Sequence, residues 1–314
     1  MRNGIAKLVC TLCAVFCVLT SFAQVSIADT TYYVLVTYND NSATVEMTND
    51  IKSYVTASVS GADVTITSTA SAAINEITYG LTGTTTDGSF TMIGTYKATL
   101  ELFGVSITNP TGPAIDLQNG KRIEISAKKE TVSTLTDGTS TATDAWKGAL
   151  QCKGHIQFKG KGTLNVYGNY KHGIRAGEYI EVKNCTINVC SAVKDAINCN
   201  WYYAQESGEV NLSGFGDDGI QVSVETDNTS SENTGNFTMT GGTININMYG
   251  ASGESVKVEG TKSVATAASI NVSTTQGFES VQPSAIRSQK VLRDGQVVIE
   301  RGEKRYNLLG AEMK

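Results

Sequence analysis

An aliphatic residue recurs along the middle of the chain at regular spacing. Each copy follows a small or polar turn, as in the run KHGI at 171–174. Successive copies are separated by 35, 24, 23, 23 and 36 residues. A repeat of about 23 residues, with loops inserted in the outer copies, predicts a solenoid built from one supersecondary unit. The aliphatic positions are Ile115, Leu150, Ile174, Ile197, Ile220 and Val256.

A second pattern follows each aliphatic position by about fourteen residues. Apolar and polar residues alternate there, which predicts strands with one buried face. The aliphatic positions begin a similar alternation, and a third short strand fits between, as at 156–158 and 180–182. Three strands per repeat predict an all-β fold, a parallel β-helix. The alternating segments are 163–166, 186–189, 209–212, 243–246 and 269–272.

Composition supports this fold. The chain has 31 Gly and only 3 Pro, and Gly and Asn favour tight turns. Asparagine also recurs at the outward position of the alternating strands, which predicts a ladder along one sheet; a solvated polar face is the alternative. The ladder positions are Asn165, Asn188, Asn211, Asn245 and Asn271.

The N-terminus has the features of a secretory signal peptide over residues 1–28. Two basic residues precede an apolar run over 8–22, and small residues offer cleavage after Ala23 or Ala28. The run is too short for a membrane span. The mature protein is therefore predicted to be secreted or displayed at the cell surface, and its four remaining cysteines are predicted to be free thiols.

Charge is unevenly distributed in a chain with a formal net charge of −5. Residues 145–194 contain eight basic and two acidic residues, whereas 195–286 contain eleven acidic residues and two lysines. The basic part would attract a polyanion, and the acidic part a hard cation such as Ca²⁺. Simple solvated faces are the alternative, and nucleic acid is an improbable partner for an acidic exported protein.

Three acidic residues are candidate metal ligands. Asp195 and Asp218 occupy equivalent turns on successive repeats, and Asp217 adjoins them. Successive rungs of a β-helix lie about 4.8 Å apart, so these carboxylates should be neighbours. They predict a Ca²⁺ site, with hydrogen-bonded turn carboxylates as the alternative.

Basic side chains are candidate glycan ligands. Lys171, Arg175 and Lys194 are predicted at or near one turn on successive rungs, with Lys153 one rung earlier. Together they would form a basic stripe along an extended chain of uronates. Arg175 is the most informative member, because a guanidinium can hold a carboxylate through two parallel hydrogen bonds.

Aromatic side chains form a further candidate surface for sugars. His155, Tyr179 and Tyr202 have the same phase in the repeat, and Trp201 adjoins Tyr202. Such rings could face sugar rings, or they could form a ladder that only stabilises the fold.

The run from GALQC at 148–152 to DAINC at 195–199, continuing to DDGIQ at 217–221, resembles a family of secreted carbohydrate-binding β-helix domains. Residues 77–126 resemble the first rungs of the same family, and the likeness covers roughly residues 59–275. It implies a right-handed, single-stranded parallel β-helix related in fold to pectate lyases. It also implies binding of acidic plant polysaccharides such as polygalacturonate, with bound Ca²⁺ and no established catalysis. Only one Asp-Gly-Ile turn of the family pattern, at 218–220, is intact.

The chain divides into four predicted parts. A cap over 29–58 follows the signal peptide, and the β-helix domain spans 59–282. Residues 286–314 form a separate module in which Asp294-Gly295 predicts a hairpin. This module resembles the C-terminal sorting tails of the type IX export route of Bacteroidetes, which implies an export machinery as partner. A strand module that caps the β-helix is the alternative.

The function predicted from these features is non-catalytic binding of a polysaccharide, preferably an acidic, pectin-like one, assisted by Ca²⁺. One alternative is a calcium-dependent polysaccharide lyase with Arg175 as the base. The other is a surface adhesin or scaffold without glycan specificity.

Overall fold

A computed structural model of the chain describes residues 32–139 and 145–275, and the backbone of four further strands between residues 289 and 313. The predicted signal peptide and its cleavage sites lie outside the described residues. Regular structure in the described part consists of strands and one short 3-10 turn, Asn49–Ile51. This part has no helix with the length and apolar character needed to cross a membrane.

The strands stack in parallel as the rungs of a β-helix, and each complete rung contributes one strand to each of three faces. Face 1 is a nine-stranded sheet. Its strands are β3 (Val55–Ser60), β4 (Ala62–Ser68), β6 (Gly88–Gly94), β9 (Ile115–Asn119), β12 (Gly148–Cys152), β15 (His172–Ala176), β18 (Ile197–Asn200), β21 (Ile220–Ser223) and β24 (Val256–Val258).

Faces 2 and 3 belong to one seventeen-stranded sheet, because the long strand β5 (Ile77–Thr85) pairs with the next strand of both. Face 2 continues through β7 (Ala98–Leu102), β10 (Ile123–Ala127), β13 (Ile156–Gly160), β16 (Ile180–Val182), β19 (Tyr202–Gln205), β22 (Asn236–Met239) and β25 (Lys262–Val264). Face 3 continues through β8 (Ser106–Thr108), β11 (Val132–Thr136), β14 (Thr163–Gly168), β17 (Thr186–Ala192), β20 (Glu209–Leu212), β23 (Gly242–Asn247) and β26 (Ala268–Ser273).

The aliphatic repeat forms one column inside face 1, as predicted. Leu150 pairs in register with Ile115 and Ile174, and the ladder continues without a shift to Val256. Each of these side chains is buried, and full burial of one contributes about 1.5–3 kcal/mol. The column also extends toward the N-terminus, through Phe90 and Val64, where the sequence repeat is not apparent. The parallel β-helix is confirmed; its right-handed winding stays a prediction.

The asparagine ladder is confirmed on face 3. Asn188 donates its Nδ2 to Oδ1 of Asn165 at 2.8 Å. The same bond recurs from Asn211, Asn245 and Asn271, each to the asparagine one rung earlier, at 2.9, 2.7 and 2.8 Å. Because each interior amide both donates and accepts, neighbouring rungs are held in register on the outside as well as through the core.

Antiparallel strands cover the N-terminal edge of the β-helix. Strands β1 (Tyr33–Asn39) and β2 (Ser42–Met47) form a hairpin, and β1 runs parallel to β5. On face 1, β3 is antiparallel to β4. These strands occupy backbone groups that would otherwise form an open edge.

Strands near the C-terminus form a separate antiparallel sheet. They are β27 (Gln289–Arg293), β28 (Gln296–Arg301), β29 (Lys304–Tyr306) and β30 (Glu312–Met313). Arg293 pairs with Gln296 on either side of the predicted Asp294-Gly295 turn, and these two turn residues lie outside the described residues. A role of this module in export stays a prediction.

The four cysteines of the described part are free. Cys152 and Cys199 lie in one inward column, separated by Ala176 on the intervening rung. Cys185 is also buried, whereas Cys190 is half-buried. Burial raises the pKa of the thiols of Cys152, Cys185 and Cys199 to about 12, which makes them packing residues rather than nucleophiles.

Candidate functional site

Two long connections flank face 1 on opposite edges. Residues 137–147 precede β12, and residues 224–235 follow β21. By contrast, residues 169–171 suffice before β15, and Trp201 alone joins β18 to β19. These connections account for most of the extra length in the two longest repeats, and described residues of both, at 145–147 and at 225 and 228, form the walls of a groove.

The groove on face 1 has a volume of about 770 Å³ and a mainly polar lining. Its floor consists of outward side chains from successive strands, including Asp116, Gln151, Arg175 and Asn200. Four rungs contribute to the lining, so at about 4.8 Å per rung the floor extends roughly 14 Å along the β-helix. Wall residues include Trp146, Lys147, Glu225 and Asn228.

A buried tryptophan–aspartate pair holds the first wall. The indole Nε1 of Trp146 donates to Oδ2 of Asp137 at 2.9 Å, and the Trp146 ring packs on Tyr170 at 4.6 Å between centroids. The backbone N–H of Asn169 donates to the other oxygen of Asp137. Burial raises the pKa of Asp137 to about 6, because these hydrogen bonds only partly offset the loss of water.

The second wall is held in the same way. Trp201 has a left-handed backbone with φ of 62° and a buried side chain. Its Nε1 donates to Oε2 of Glu225 at 3.1 Å, and Asn228 donates to the same oxygen at 2.9 Å. The chain has two tryptophans, and each therefore secures one wall of the groove.

Arg175 is the cation on the groove floor. Its Nη2 donates to Oδ1 of Asn200 at 3.3 Å, whereas its buried Nη1 has no hydrogen-bond partner. Burial lowers the pKa of Arg175, and nearby anionic groups that include Glu225 oppose the effect. The Arg175 side chain is partly buried, and a buried N–H without an acceptor is rare enough in folded proteins to mark this position as a candidate binding residue.

The carboxylates of the groove are already satisfied by other side chains. Asp116 accepts hydrogen bonds from Gln118 at 2.8 Å and Gln151 at 3.0 Å. Glu178 bonds to Nδ1 of His155, and Glu225 accepts from Trp201 and Asn228. In the described part of the chain, the groove lysines at 147 and 153 form no ion pair. The charged groups of the groove that still have hydrogen-bonding capacity to offer are therefore the cationic donors, although acids and bases line it in equal number.

The predicted basic stripe is not a single surface. Lys171 and Lys194 lie together at the turns that precede β15 and β18, where the backbone N–H of Lys194 donates to the carbonyl of Lys171. Arg175 lies four residues farther along the strand direction, about 13 Å from that turn, and Lys153 follows β12 on the opposite edge. Only Arg175 and Lys153 line the groove.

The predicted aromatic column is present, but its rings cover one another. Tyr179 stacks between His155 and Tyr202, with centroid distances of 4.1 and 4.3 Å. Tyr202 also donates to Glu181 at 3.1 Å. Because the ring faces are occupied within the stack, the geometry favours the ladder alternative over a platform for sugar rings.

The three predicted metal ligands form a cluster. Oxygens of Asp195, Asp217 and Asp218 lie within 4.8 Å of one another. Asp195 accepts from the backbone N–H of Asp218 at 3.2 Å and from Asn198 at 2.7 Å. Burial raises the pKa of Asp195, but hydrogen bonds from His172 and Asn198 outweigh it, so the net pKa is lowered.

The Asp137 pair predicts a pH dependence. A folded-state pKa of about 6 against 3.8 for the unfolded chain means that the folded state binds the proton more tightly. Its contribution to stability is therefore fully present below pH 4 and is lost as pH rises to about 6. We expect Asp137→Asn to remove this loss, on the order of 3 kcal/mol. Urea unfolding at pH 4 and pH 7 should give a smaller difference for the variant than for wild type; equal differences would contradict the assignment.

Comparisons with known proteins agree with the fold. A family model described as "carbohydrate-binding domain-containing protein" matches residues 60–308. Among solved structures, a polysaccharide lyase-like protein from C. thermocellum, solved as a gadolinium derivative, is similar with a TM-score of 0.60 and 22% identity; the match covers 76% of this chain and 99% of that one. No curated protein matches significantly. The chain belongs to the family of carbohydrate-binding domain-containing proteins.

Proposed function

We propose that the protein binds an acidic polysaccharide of the pectin type in the face 1 groove. The observation that carries this proposal is the imbalance between satisfied carboxylates and available cations. Arg175 presents an unsatisfied buried N–H, while the groove acids Asp116, Glu178 and Glu225 are already hydrogen-bonded. A chain of uronates supplies repeated carboxylates along such a floor.

Arg175 would hold one uronate carboxylate, and Lys147 and Lys153 would contribute weaker contacts from the edges. Hydrogen bonds to a charged group contribute about 1.5–3 kcal/mol each when partly desolvated, whereas an exposed lysine contributes less than about 1 kcal/mol. Affinity should therefore depend mainly on Arg175, and its lysine-dependent part should fall with salt.

Calcium is the second part of the proposal. Asp195, Asp217 and Asp218 would hold the ion, which as a hard cation prefers oxygen ligands. Their clustering supports this assignment, and the buried Oδ2 of Asp218 accepts no hydrogen bond, with the Lys257 ammonium 3.2 Å away as its ion-pair partner. When bound, calcium would supply positive charge at the turns before β18 and β21.

Export is the third part. The apolar run over 8–22 and the resemblance of the C-terminal module to type IX sorting tails support secretion or display at the cell surface. Recognition of that tail by an export machinery belongs to the same proposal.

Binding without catalysis is the function we favour, with a polysaccharide lyase as the second candidate. A lyase would need a base to remove the C5 proton, and the lowered pKa of the buried Arg175 is the observation in its favour. The groove carboxylates at 116, 178 and 225, however, are engaged with other side chains rather than grouped around an ion position.

A glycan array probed with and without a calcium chelator tests the proposal. We expect binding to polygalacturonate and related acidic glycans, with a weaker signal in chelator. Absence of binding to every glycan would favour the scaffold alternative. Formation of unsaturated uronates, followed by their absorbance, would instead identify a lyase.

A further inference from the structure

We propose that Lys257 is a built-in cation for the aspartate cluster, so that calcium binds there only by displacing the Lys257 ammonium. The inference rests on the calcium part of the proposed function and concerns how that site is regulated. With Lys257 as the counter-ion, the fold would not need the metal for its stability. The affinity of the cluster for calcium would then depend on this one lysine.

The contact between Lys257 and Asp218 carries this inference. The Nζ of Lys257 lies 3.2 Å from Oδ2 of Asp218. The side chain of Asp218 is 1% exposed and that of Lys257 is 46% exposed. The ammonium therefore reaches from solvent to a buried oxygen that has no other partner.

The other buried oxygens of the cluster already accept N–H groups. Asp218 Oδ1 accepts from the backbone N–H of Glu254 at 2.7 Å. Asp195 accepts from Asp218 N–H and Asn198, and Nδ1 of His172 lies 3.2 Å from its Oδ2. One buried oxygen is thus left for a cation, and Lys257 occupies the approach to it.

The turn before β24 has no space for a side chain at Gly253 beside the carboxylates of Asp217 and Asp218. A Cβ at Gly253 would lie 2.7 Å from Oδ1 of Asp217 and closer still to Asp218. Gly253 therefore leaves room over the two carboxylates, and Lys257 is the described lysine that forms an ion pair with one of them. Calcium takes six to eight oxygen ligands, so it must compete with this ammonium.

Removing the Lys257 ammonium should show whether it competes with calcium for the aspartate cluster. In Lys257→Met the buried Asp218 carboxylate loses its counter-ion, and an unpaired buried charge strongly destabilises a fold. We expect the variant to melt at a lower temperature than wild type in chelator. Adding calcium should raise the melting temperature of the variant back toward that of wild type. Wild type should change little between the two conditions.

Calorimetric titration with CaCl₂ alone, without glycan, provides the direct measurement. We expect Lys257→Met to bind Ca²⁺ at least tenfold more tightly than wild type. Lys262→Met is the matched control, because Lys262 lies over the Phe237 ring rather than beside the cluster. Adding Asp218→Asn to Lys257→Met should abolish the gain in affinity.

Two outcomes would overturn the inference. One is calcium binding by Lys257→Met no tighter than by wild type, and the other is a melting temperature in chelator equal to that of wild type. Neither outcome bears on glycan binding at Arg175, because no glycan is present in either experiment. Failure of this inference is thus distinguishable from failure of the groove as a polysaccharide site.

Discussion

Replacing Arg175 by methionine is expected to weaken binding of polygalacturonate roughly tenfold or more. Methionine keeps an unbranched stem but removes the guanidinium of a residue that lines the groove. Hydrogen bonds from a charged donor contribute about 1.5–3 kcal/mol, and 1.4 kcal/mol corresponds to a factor of ten in affinity. Isothermal titration calorimetry against polygalacturonate measures the effect. The affinity of Arg175→Lys for polygalacturonate should lie between those of wild type and Arg175→Met, because lysine keeps the charge but lacks the planar guanidinium.

A double variant of Lys171 and Lys194 is the matched control. Both lysines lie at the turn before face 1 and outside the groove lining. Their replacement by alanine should change affinity by less than the Arg175 substitution and should leave the melting temperature nearly unchanged. A larger loss in the double variant than in Arg175→Met would place the binding surface at that turn instead of in the groove.

Shortening the 224–235 connection to a two-glycine turn should also reduce polygalacturonate affinity by about a factor of ten or more. The change removes Glu225 and Asn228 from the groove and leaves the rungs on both sides intact. It also removes the acceptor of the Trp201 indole, so tryptophan emission should shift to longer wavelength. Fluorescence and calorimetry on the same sample measure both effects.

Glu225→Ala is the companion variant, because it leaves the chain length unchanged. It should reproduce the shift in emission with a smaller loss of affinity. Circular dichroism checks that both proteins keep their strands. Full affinity in the shortened protein would show that the second wall takes no part in binding.

The fold could be predicted from the sequence because a β-helix repeats its contacts. Each rung places an aliphatic residue above the equivalent one, so Ile174, Ile197 and Ile220 occur at equal spacing and reveal the register. The repeat itself does not reveal the first rungs, since Phe90 and Val64 occupy the same column with different spacing and turn lengths; the family resemblance alone indicates the rungs over 77–126.

The groove could not be predicted in the same way, because its walls are the parts that do not repeat. The repeat lengths of 35 and 36 residues indicate insertions, but they do not say at which corner of the rung each insertion lies. Trp146 and Glu225 therefore escaped notice. Arg175 was identified by its charge, yet its distance from Lys171 depends on an intervening strand that net charge along the chain does not reveal.

The aspartate cluster lies between these two cases. Asp195 and Asp218 were brought together by the repeat, as predicted. Lys257, which contacts Asp218, follows it by 39 residues. The 224–235 connection lengthens this repeat, so the pairing is visible only once the strands are placed in register.

The most direct test of the central claim compares an acidic polymer with its uncharged methyl ester. Wild-type protein is titrated in a calorimeter with polygalacturonate and with the same polymer after full methyl esterification, at equal salt. We expect binding of the free acid and at least a tenfold loss on esterification, because the ester cannot accept a charge-assisted pair of hydrogen bonds from Arg175. Equal affinity for the two polymers, or no binding of either, would contradict the assignment of the groove to an acidic polysaccharide.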